Sequence, residues 1–140
     1  MGHNSFIPYN IYLSGGMKSN WQDKIIEALS DINARIKFID PRKNGLKNPV
    51  SYTYWDINSI RNSDIIFAYL ESDNPSGLGL ATEVGYGAGF GCLTIFINEK
   101  SKDKHTHFIE EVATLSYRDL NEGIAMLKNI CENGLVRGIR

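Results

Sequence analysis

A six-residue run, Ile65–Leu70, is almost wholly apolar, and it constrains the fold of this chain more than any other segment. A strand that is apolar at every position is buried on both faces, as a central strand of a parallel sheet is. Shorter apolar runs at residues 11–13, 36–39 and 93–97 predict three further strands. Because segments of helical character separate these runs, the sequence predicts an α/β fold, with a parallel sheet flanked by helices.

The segments between the strands predict the helices. Residues 21–36 carry Trp21, Ile25, Leu29 and other apolar side chains at helical spacing, with Ser19 or Asn20 as the candidate cap. Further helices are predicted at residues 52–62, 80–89, 107–115 and 120–133, with a short strand near residues 115–117. The polar stretch 42–51, which contains Gly45 and Pro49, predicts a loop.

Length and charge narrow the class of protein. The chain has 140 residues, and we expect one domain over residues 1–140. Its formal net charge of -1 argues against a nucleic-acid polymer as the partner, because such binders usually carry a basic excess. A small nucleotide needs only one or two cations, so it stays compatible with this charge.

Targeting and redox signals are sparse. No apolar stretch approaches the ~20 residues that a membrane helix requires, so no membrane partner is expected. Residues 1–10 lack a basic region followed by an apolar run, which predicts no secretory leader. Cys92 and Cys131 match no metal-binding spacing, and no metal site is expected. A cytoplasmic location is therefore predicted.

Three loops are expected to form a ligand site, at residues 14–18, 40–43 and 71–79. Ligands on parallel sheets bind beyond the carboxyl ends of the strands, where the strand order switches. In the first loop Ser14, Gly15 and Gly16 are small, so backbone N–H groups can approach a ligand, and the next helix N-terminus favours an anion. A tight turn between strand and helix explains the same residues.

The third loop combines polar and glycine residues: Asn74, Ser76, Gly77 and Gly79. The glycines allow a positive φ and the close approach of a ligand. A dinucleotide-binding fingerprint is a weak interpretation, because position 82 is Thr and the segment follows the third strand rather than the first.

Glu83 is the most informative single residue. It lies about one turn into a predicted helix at the mouth of the sheet, among apolar and small residues. A carboxylate in such surroundings is paired or functional, although a helix-dipole or capping role is the alternative. Asp56 would supply a second carboxylate at the same cleft, unless it is an exposed helix acid. Glycosidic cleavage commonly uses two carboxylates, one that attacks the sugar and one that handles the proton on the leaving group.

With these residues in place, the sequence resembles the nucleoside 2-deoxyribosyltransferase family over about residues 11–98. The matching pieces, in chain order, are IYLSG at 11–15, WQ at 21–22, DPR at 40–42, DINSI and SDII within 56–66, and SGLG and EVGYGA within 76–88. The resemblance implies a flavodoxin-like parallel sheet and a double-displacement mechanism. Glu83 would be the nucleophile, Asp56 would help to protonate the base, and Tyr12 would position Glu83 or the sugar.

The resemblance also implies the binding residues. Ser76 would hold the sugar hydroxyls, although it precedes Glu83 by seven positions where the family usually has six, so Gly77 with Asn74 or Asp73 is the alternative. Ser at this position also occurs in the family branch that hydrolyses deoxynucleoside 5'-monophosphates. Arg42 would then be the better phosphate contact, with Lys18 as the other cation, because its planar fork matches phosphate oxygens; both are otherwise surface cations.

The family's assembly is expected as well. No metal or organic cofactor is implied, and members are commonly dimers or larger, with a neighbouring subunit completing the site. Asn98 and Asn133 are the candidates for the asparagine that a neighbour contributes. Two other functions stay open: an NAD glycohydrolase, and a non-catalytic nucleotide-sensing module.

Overall fold

The computed structural model of the chain describes residues 7–134. Residues 1–6, part of the stretch 1–10 for which no secretory leader was predicted, lie outside the described residues. The strands are β1 (Tyr9–Gly15), β2 (Ile36–Ile39), β3 (Ile65–Leu70), β4 (Leu93–Asn98) and β5 (Leu115–Tyr117). The α-helices are α1 (Trp21–Ala28), α2 (Pro49–Arg61), α3 (Leu78–Phe90), α4 (His107–Val112) and α5 (Leu120–Asn133). Short 3-10 segments lie at Ser30–Arg35, Pro41–Lys43 and Lys104–Thr106.

The five strands form one parallel sheet in the order β2-β1-β3-β4-β5. This is the flavodoxin-like arrangement, and it confirms the predicted fold class. The apolar run Ile65–Leu70 is β3, the middle strand, and all six of its residues are buried. Strand order reverses between β1 and β3, so the carboxyl ends of these two strands open onto a crevice.

Side chains alternate between the two faces of the sheet, and each face has its own core. One face carries Ile11, Leu13, Phe67 and their neighbours, which pack against α1 and α5. The opposite face carries Tyr12, Ile66 and Ala68, which pack against α2, α3 and α4. The site residues on β1 therefore share a face with the helices that hold Asp56 and Glu83.

Two helices end earlier than predicted. The first helix ends at Ala28 rather than residue 36, and residues 30–35 form a 3-10 segment. Ser30, Asp31 and Asn33 compete for backbone hydrogen bonds, which weakens an α-helix there. α4 ends at Val112 rather than residue 115, because Thr94 and Thr114 exchange backbone-to-hydroxyl hydrogen bonds of 3.0 and 2.8 Å that lead the chain into β5.

Two helices begin earlier than predicted. α2 begins at Pro49 rather than residue 52, within the stretch predicted to be a loop. The Asn48 side chain caps it by accepting a 2.8 Å hydrogen bond from Val50 N, and Pro49 occupies the first turn, where proline needs no donor. α3 begins at Leu78 rather than residue 80, directly after Gly77 with φ of 75°.

No helix within residues 7–134 has the length and apolar character needed to cross a membrane.

Candidate active site

The crevice between β1 and β3 brings two of the predicted loops together. A methyl group at Gly16 would lie 3.4 Å from Oε2 of Glu71 and 3.8 Å from Nδ2 of Asn74. The loop after β1 and the loop after β3 are thus in contact, as expected at the carboxyl edge of neighbouring parallel strands.

The Glu83 carboxylate is held by two hydroxyl groups of β1. Tyr12 Oη donates a 2.7 Å hydrogen bond to Oε2, and Ser14 Oγ donates one of 2.7 Å to Oε1. Tyr12 and Ser14 are two positions apart on one strand, so they point to the same face, where α3 lies. Glu83 is the only charged residue of α3, and its side chain is turned to the sheet.

Burial shapes the protonation of this group. Desolvation raises the pKa of Glu83, the hydrogen bonds from Ser14 and Tyr12 lower it, and the nearby Asp56 raises it. Burial, followed by the charge of Glu83, raises the pKa of Tyr12 far above its ordinary value. Tyr12 therefore keeps its proton and acts as a hydrogen-bond donor.

Asp56, on α2, lies close enough to Tyr12 and Glu83 to influence the pKa of both. Burial raises the pKa of Asp56, while hydrogen bonding with Tyr12 lowers it. Among the described residues, no hydrogen bond reaches the buried Oδ1 atom of Asp56. The structure thus brings Tyr12, Ser14, Asp56 and Glu83 together, with two carboxyl groups near one tyrosine hydroxyl.

The backbone of the first loop is fixed by its surroundings. Gly15 has φ of 151°, and a methyl group there would lie 2.6 Å from the carbonyl oxygen of Tyr69, so only glycine fits. The carbonyl of Gly16 accepts hydrogen bonds from Trp21 Nε1 at 2.8 Å and Gln22 Nε2 at 3.1 Å. Sequence reasoning had linked Trp21 and Gln22 to the family without this role.

The polar side chains of the third loop stabilise its turn. Asn74 Oδ1 accepts hydrogen bonds of 3.0 Å from the backbone nitrogens of Ser76 and Gly77, and Ser76 Oγ accepts one of 3.1 Å from Leu78 N. Gly77 adopts a positive φ of 75°, as predicted for this segment. Gly79 does not: it lies inside α3 with a helical conformation, because the turn is already complete at Gly77.

Arg42, predicted to contact phosphate, is already engaged by carboxylates. Its Nη2 atom lies 2.7 Å from Asp40 Oδ2 and 2.8 Å from Asp23 Oδ1, and its Nε atom donates to both Asp40 oxygens. Nη1 makes a longer hydrogen bond of 3.4 Å to Asn20 Oδ1. Asp40 is almost fully buried. The ion pair between Arg42 and Asp23 joins the loop after β2 to the first turn of α1. Lys18 is exposed on the neighbouring loop.

A cleft of about 570 Å³ opens beside Asp56, between the loop after β2 and α2. Its volume lies within the range of small-molecule sites. Its lining residues are Met17, Pro41, Arg42, Asn44, Gly45, Leu46, Lys47, Tyr52 and Asp56. Sequence reasoning missed Asn44, Lys47 and Tyr52, because residues 44–48 carry no pattern that fixes their place beside α2.

The two candidate asparagines lie elsewhere. Asn98 is fully buried at the end of β4, where its Nδ2 atom donates to Thr106 Oγ1 and Glu110 Oε2. Asn133 lies at the end of α5 and donates to the carbonyl of Asn129. Within residues 7–134, no cluster of three or more His, Cys, Asp or Glu side chains could hold a metal ion.

Comparison with known proteins gives one sequence family and a set of similar structures. The sequence profile described as "Nucleoside 2-deoxyribosyltransferase like" matches residues 8–101. A search of curated proteins found no match. The structure resembles a CMP N-glycosidase, BcmB, from Clostridium botulinum, with a TM-score of 0.59 and 17% identity over 86% of this chain and 98% of the other. It also resembles a 2-desoxiribosyltransferase from Leishmania mexicana, with a TM-score of 0.62 and 20% identity over 91% of this chain and 100% of the other.

Proposed function

Because the chain belongs to the nucleoside 2-deoxyribosyltransferase-like family, we propose that it cleaves or exchanges the N-glycosidic bond of a nucleoside or nucleotide. The observation that carries this proposal is the Glu83 carboxylate, which accepts 2.7 Å hydrogen bonds from Tyr12 and Ser14 beside the second carboxyl group of Asp56. Two carboxyl groups in different environments are the arrangement that glycosidic chemistry uses.

The different surroundings of the two carboxyl groups support different roles for them in this proposal. Burial raises the pKa of both groups, but hydrogen bonds from two hydroxyl groups favour the ionised form of Glu83. For Asp56 only the hydrogen bonding with Tyr12 does so, and its Oδ1 atom receives no hydrogen bond among the described residues. Glu83 is therefore the nucleophile, and Asp56 is the group that keeps a proton to donate.

The reaction proceeds in two displacements. Glu83 attacks C1' of the sugar, the C1'–N bond breaks, and the base leaves with the proton that Asp56 supplies. The sugar ester on Glu83 is then attacked by a second base, which gives exchange, or by water, which gives hydrolysis; either step frees Glu83 and returns a proton to Asp56. The chain's own side chains suffice for these steps, and the proposal includes no metal or organic cofactor.

The surrounding residues form the binding site in this proposal. Ser14, Gly15 and Gly16 line the sugar subsite on one side, and Asn74, Ser76, Gly77 and Gly79 line it on the other. The cleft beside Asp56 takes the base. Arg42, through Nη1, and Lys18 are the contacts for a 5'-phosphate if the substrate is a monophosphate, as the name of the similar CMP N-glycosidase suggests.

We include a second copy of this chain in the proposal, and we treat residues 1–140 as one domain. The outer face of α3 carries no charge and exposes Leu78 by 75% and Phe90 by 54%. Phe108 of α4, a helix that contacts α3, is exposed by 78%. An uncharged surface that exposes large apolar side chains often marks a protein–protein contact. The proposed assembly is tested by analytical ultracentrifugation. We expect the wild type and the control Lys102→Glu to sediment as a dimer or larger, and Phe90→Glu to sediment as a monomer. A monomeric wild type contradicts the proposed assembly.

The enzymatic proposal is tested by product analysis. Deoxynucleosides, ribonucleosides, their 5'-monophosphates and NAD are incubated with the protein, with and without a second free base, and products are separated by HPLC. Glu83→Gln keeps the side-chain shape but removes the nucleophile, and Glu111→Gln on exposed α4 is the matched control.

The outcomes are distinct. A new nucleoside that forms only with the second base identifies exchange, and free base without an acceptor identifies hydrolysis. In either case Glu83→Gln should lose at least about 10³-fold in kcat while still binding substrate, and Glu111→Gln should match the wild type. Release of nicotinamide from NAD alone identifies an NAD glycohydrolase instead. Binding of nucleotides without turnover of any substrate contradicts the proposed chemistry and favours a sensing module.

A further inference from the structure

We propose that Glu99 and Lys100, the two residues after β4, are positioning residues that hold the loop after β3 in its reactive arrangement. This loop, residues 71–77 (the 71–77 loop), carries Asn74, Ser76 and Gly77. The inference rests on the proposed function, because that function assigns the loop to the sugar. Glu99 and Lys100 lie outside the group of Tyr12, Ser14, Asp56 and Glu83, so they would act through the loop.

Glu99 fixes the first half of the loop. Its Oε2 atom accepts a 2.5 Å hydrogen bond from Tyr69 Oη, and its Oε1 atom accepts one of 3.1 Å from Ser72 N. The backbone nitrogen of Glu99 also donates to the carbonyl of Leu70 at 3.0 Å, which continues the pairing of β3 with β4. One carboxylate thus ties the end of β3 to the first residues beyond it.

Lys100 fixes the second half of the loop. Its Nζ atom donates a 2.6 Å hydrogen bond to the carbonyl oxygen of Asn74. The side chain of the same Asn74 accepts from Ser76 N and Gly77 N, so Lys100 holds the residue on which the turn is built. A charged donor makes this a stronger bond than one between neutral groups.

The two positioning residues are themselves anchored in the core. Lys100 N donates a 2.9 Å hydrogen bond to Oδ1 of the fully buried Asn98, whose Nδ2 atom donates to Thr106 Oγ1 at 2.8 Å. The Thr106 hydroxyl in turn donates to the carbonyl of Asp103 at 2.8 Å, and it lies 3.3 Å from the carbonyl of Lys100. The loop is therefore tied, through Lys100, to the buried end of β4.

The loop leads directly into the helix that carries the nucleophile. Gly77 precedes α3, and Ala81 N donates a 2.9 Å hydrogen bond to the Gly77 carbonyl in the first turn. A shift of Asn74 therefore moves the start of α3 as well as the sugar contacts. Displacement of reacting groups by about 1 Å can reduce a rate about 10²-fold, so a lost positioning bond is measurable in turnover.

The test compares Lys100→Met with Lys100→Arg and with Lys102→Met. Methionine removes the donor while keeping length and apolar bulk, arginine restores a charged donor, and Lys102 is an exposed lysine two positions further on. Kinetics with the substrate found by HPLC are combined with amide hydrogen exchange over the 71–77 loop. Glu99→Ala repeats the test at the other end of the loop, where it removes the acceptor of Ser72 N.

We expect faster exchange at Ser76 and Gly77 in Lys100→Met, with kcat/KM about tenfold lower, mainly through kcat. Lys100→Arg should recover most of the activity, and Lys102→Met should match the wild type in both readouts. If amide hydrogen exchange at Ser76 and Gly77 is unchanged in Lys100→Met, the proposal that Lys100 fixes the loop is overturned. If amide hydrogen exchange is faster but kcat per folded molecule is unchanged, the proposed role of Lys100 in the reaction is overturned. A wild type that turns over no substrate overturns the proposed function instead, while the exchange result still decides whether Lys100 holds the loop.

Discussion

Tyr12 donates a 2.7 Å hydrogen bond from its phenol oxygen to Oε2 of Glu83, 71 positions further along the chain. Tyr12 is fully buried in the middle of β1, so its hydroxyl is fixed by the sheet rather than by a loop. Ser14, two positions later, donates to the other oxygen of the same carboxylate. Both Glu83 oxygens are therefore held by side chains of the sheet, which is the preorganisation that the proposed attack by Glu83 requires.

Removal of the Tyr12 hydroxyl tests the value of this hydrogen bond. In Tyr12→Phe, Oε2 of Glu83 loses its donor while it stays in a partly buried place. We expect a loss of stability of about 1–3 kcal/mol, measured by urea denaturation, because a buried acceptor is left unsatisfied. We also expect kcat to fall about 10- to 100-fold, because Glu83, the proposed nucleophile, is no longer held through both of its oxygens.

Tyr117→Phe is the matched control for this prediction. Tyr117 is half-buried in β5, and its hydroxyl makes no hydrogen bond within residues 7–134. The two variants remove the same oxygen atom from the same residue type. Equal effects in both variants would contradict a specific role for the bond between Tyr12 and Glu83.

Glu83 is predicted to lower the stability of the folded protein at neutral pH. Burial raises its pKa above the ordinary value of 4.5, so the ionised form is less stable in the folded protein than in the unfolded chain. Glu83→Gln removes this charge, and we expect its Tm to exceed that of the wild type by a few degrees at pH 7. Thermal unfolding followed by circular dichroism measures the difference.

The pH dependence of that difference follows from the sign of the pKa shift. Below pH 4.5 both states of the wild type hold the proton on Glu83, and its contribution to stability is fully present. As the pH rises through the raised pKa, the folded state must release a proton that the unfolded chain has already lost, and the contribution disappears. The Tm difference between Glu83→Gln and the wild type should therefore widen from about pH 4.5 upward. A difference that is constant across this range would contradict the assignment.

The fold could be predicted from the sequence because the residues of each strand form a recognisable apolar run. β2 and β3 were predicted with the observed bounds, since a buried strand in a parallel sheet is a continuous apolar run between polar segments. The start of α2 was missed although its signal, Asn48 followed by Pro49, is present in the sequence. Helix ends were less predictable, because they depend on contacts such as that between Thr94 and Thr114, which are distant in the chain.

The candidate site could be predicted only in part, because it too depends on contacts between residues that are distant in the chain. Glu83 was predicted as a site residue because a carboxylate among apolar and small residues must be paired or functional. Its two hydroxyl donors depend on how α3 lies over β1, and no local pattern encodes that packing. The partners of Arg42 likewise come from a loop and from α1, so the sequence could not tell an available cation from a paired one.

Gly15 is predicted to be irreplaceable for steric reasons. Its φ of 151° is unfavourable for other residues, and an added methyl group would lie 2.6 Å from Tyr69 O and 2.9 Å from the Trp21 ring. We expect Gly15→Ala to lose about 2 kcal/mol or more in urea denaturation. Gly79→Ala is the control, since Gly79 is helical and nothing lies within 4 Å of the added group. Its stability should be unchanged or higher by about 0.5–1 kcal/mol; a loss equal to that of Gly15→Ala would contradict the steric explanation.

Arg42 is predicted to stabilise the fold whatever its role toward a phosphate. The Asp40 side chain is only 3% exposed, and its charge is compensated by Arg42. Arg42→Gln leaves that charge buried without a cation, and we expect a loss of about 3 kcal/mol in urea denaturation. Asp23→Asn removes only the partner that is 67% exposed, so it should leave Tm nearly unchanged.

The kinetics of the same two variants separate a structural role of Arg42 from a role in phosphate binding. If Arg42 also contacts a 5'-phosphate, Arg42→Gln should reduce kcat/KM for monophosphates more than for nucleosides, whereas an equal reduction for both leaves Arg42 as a link between α1 and the loop after β2.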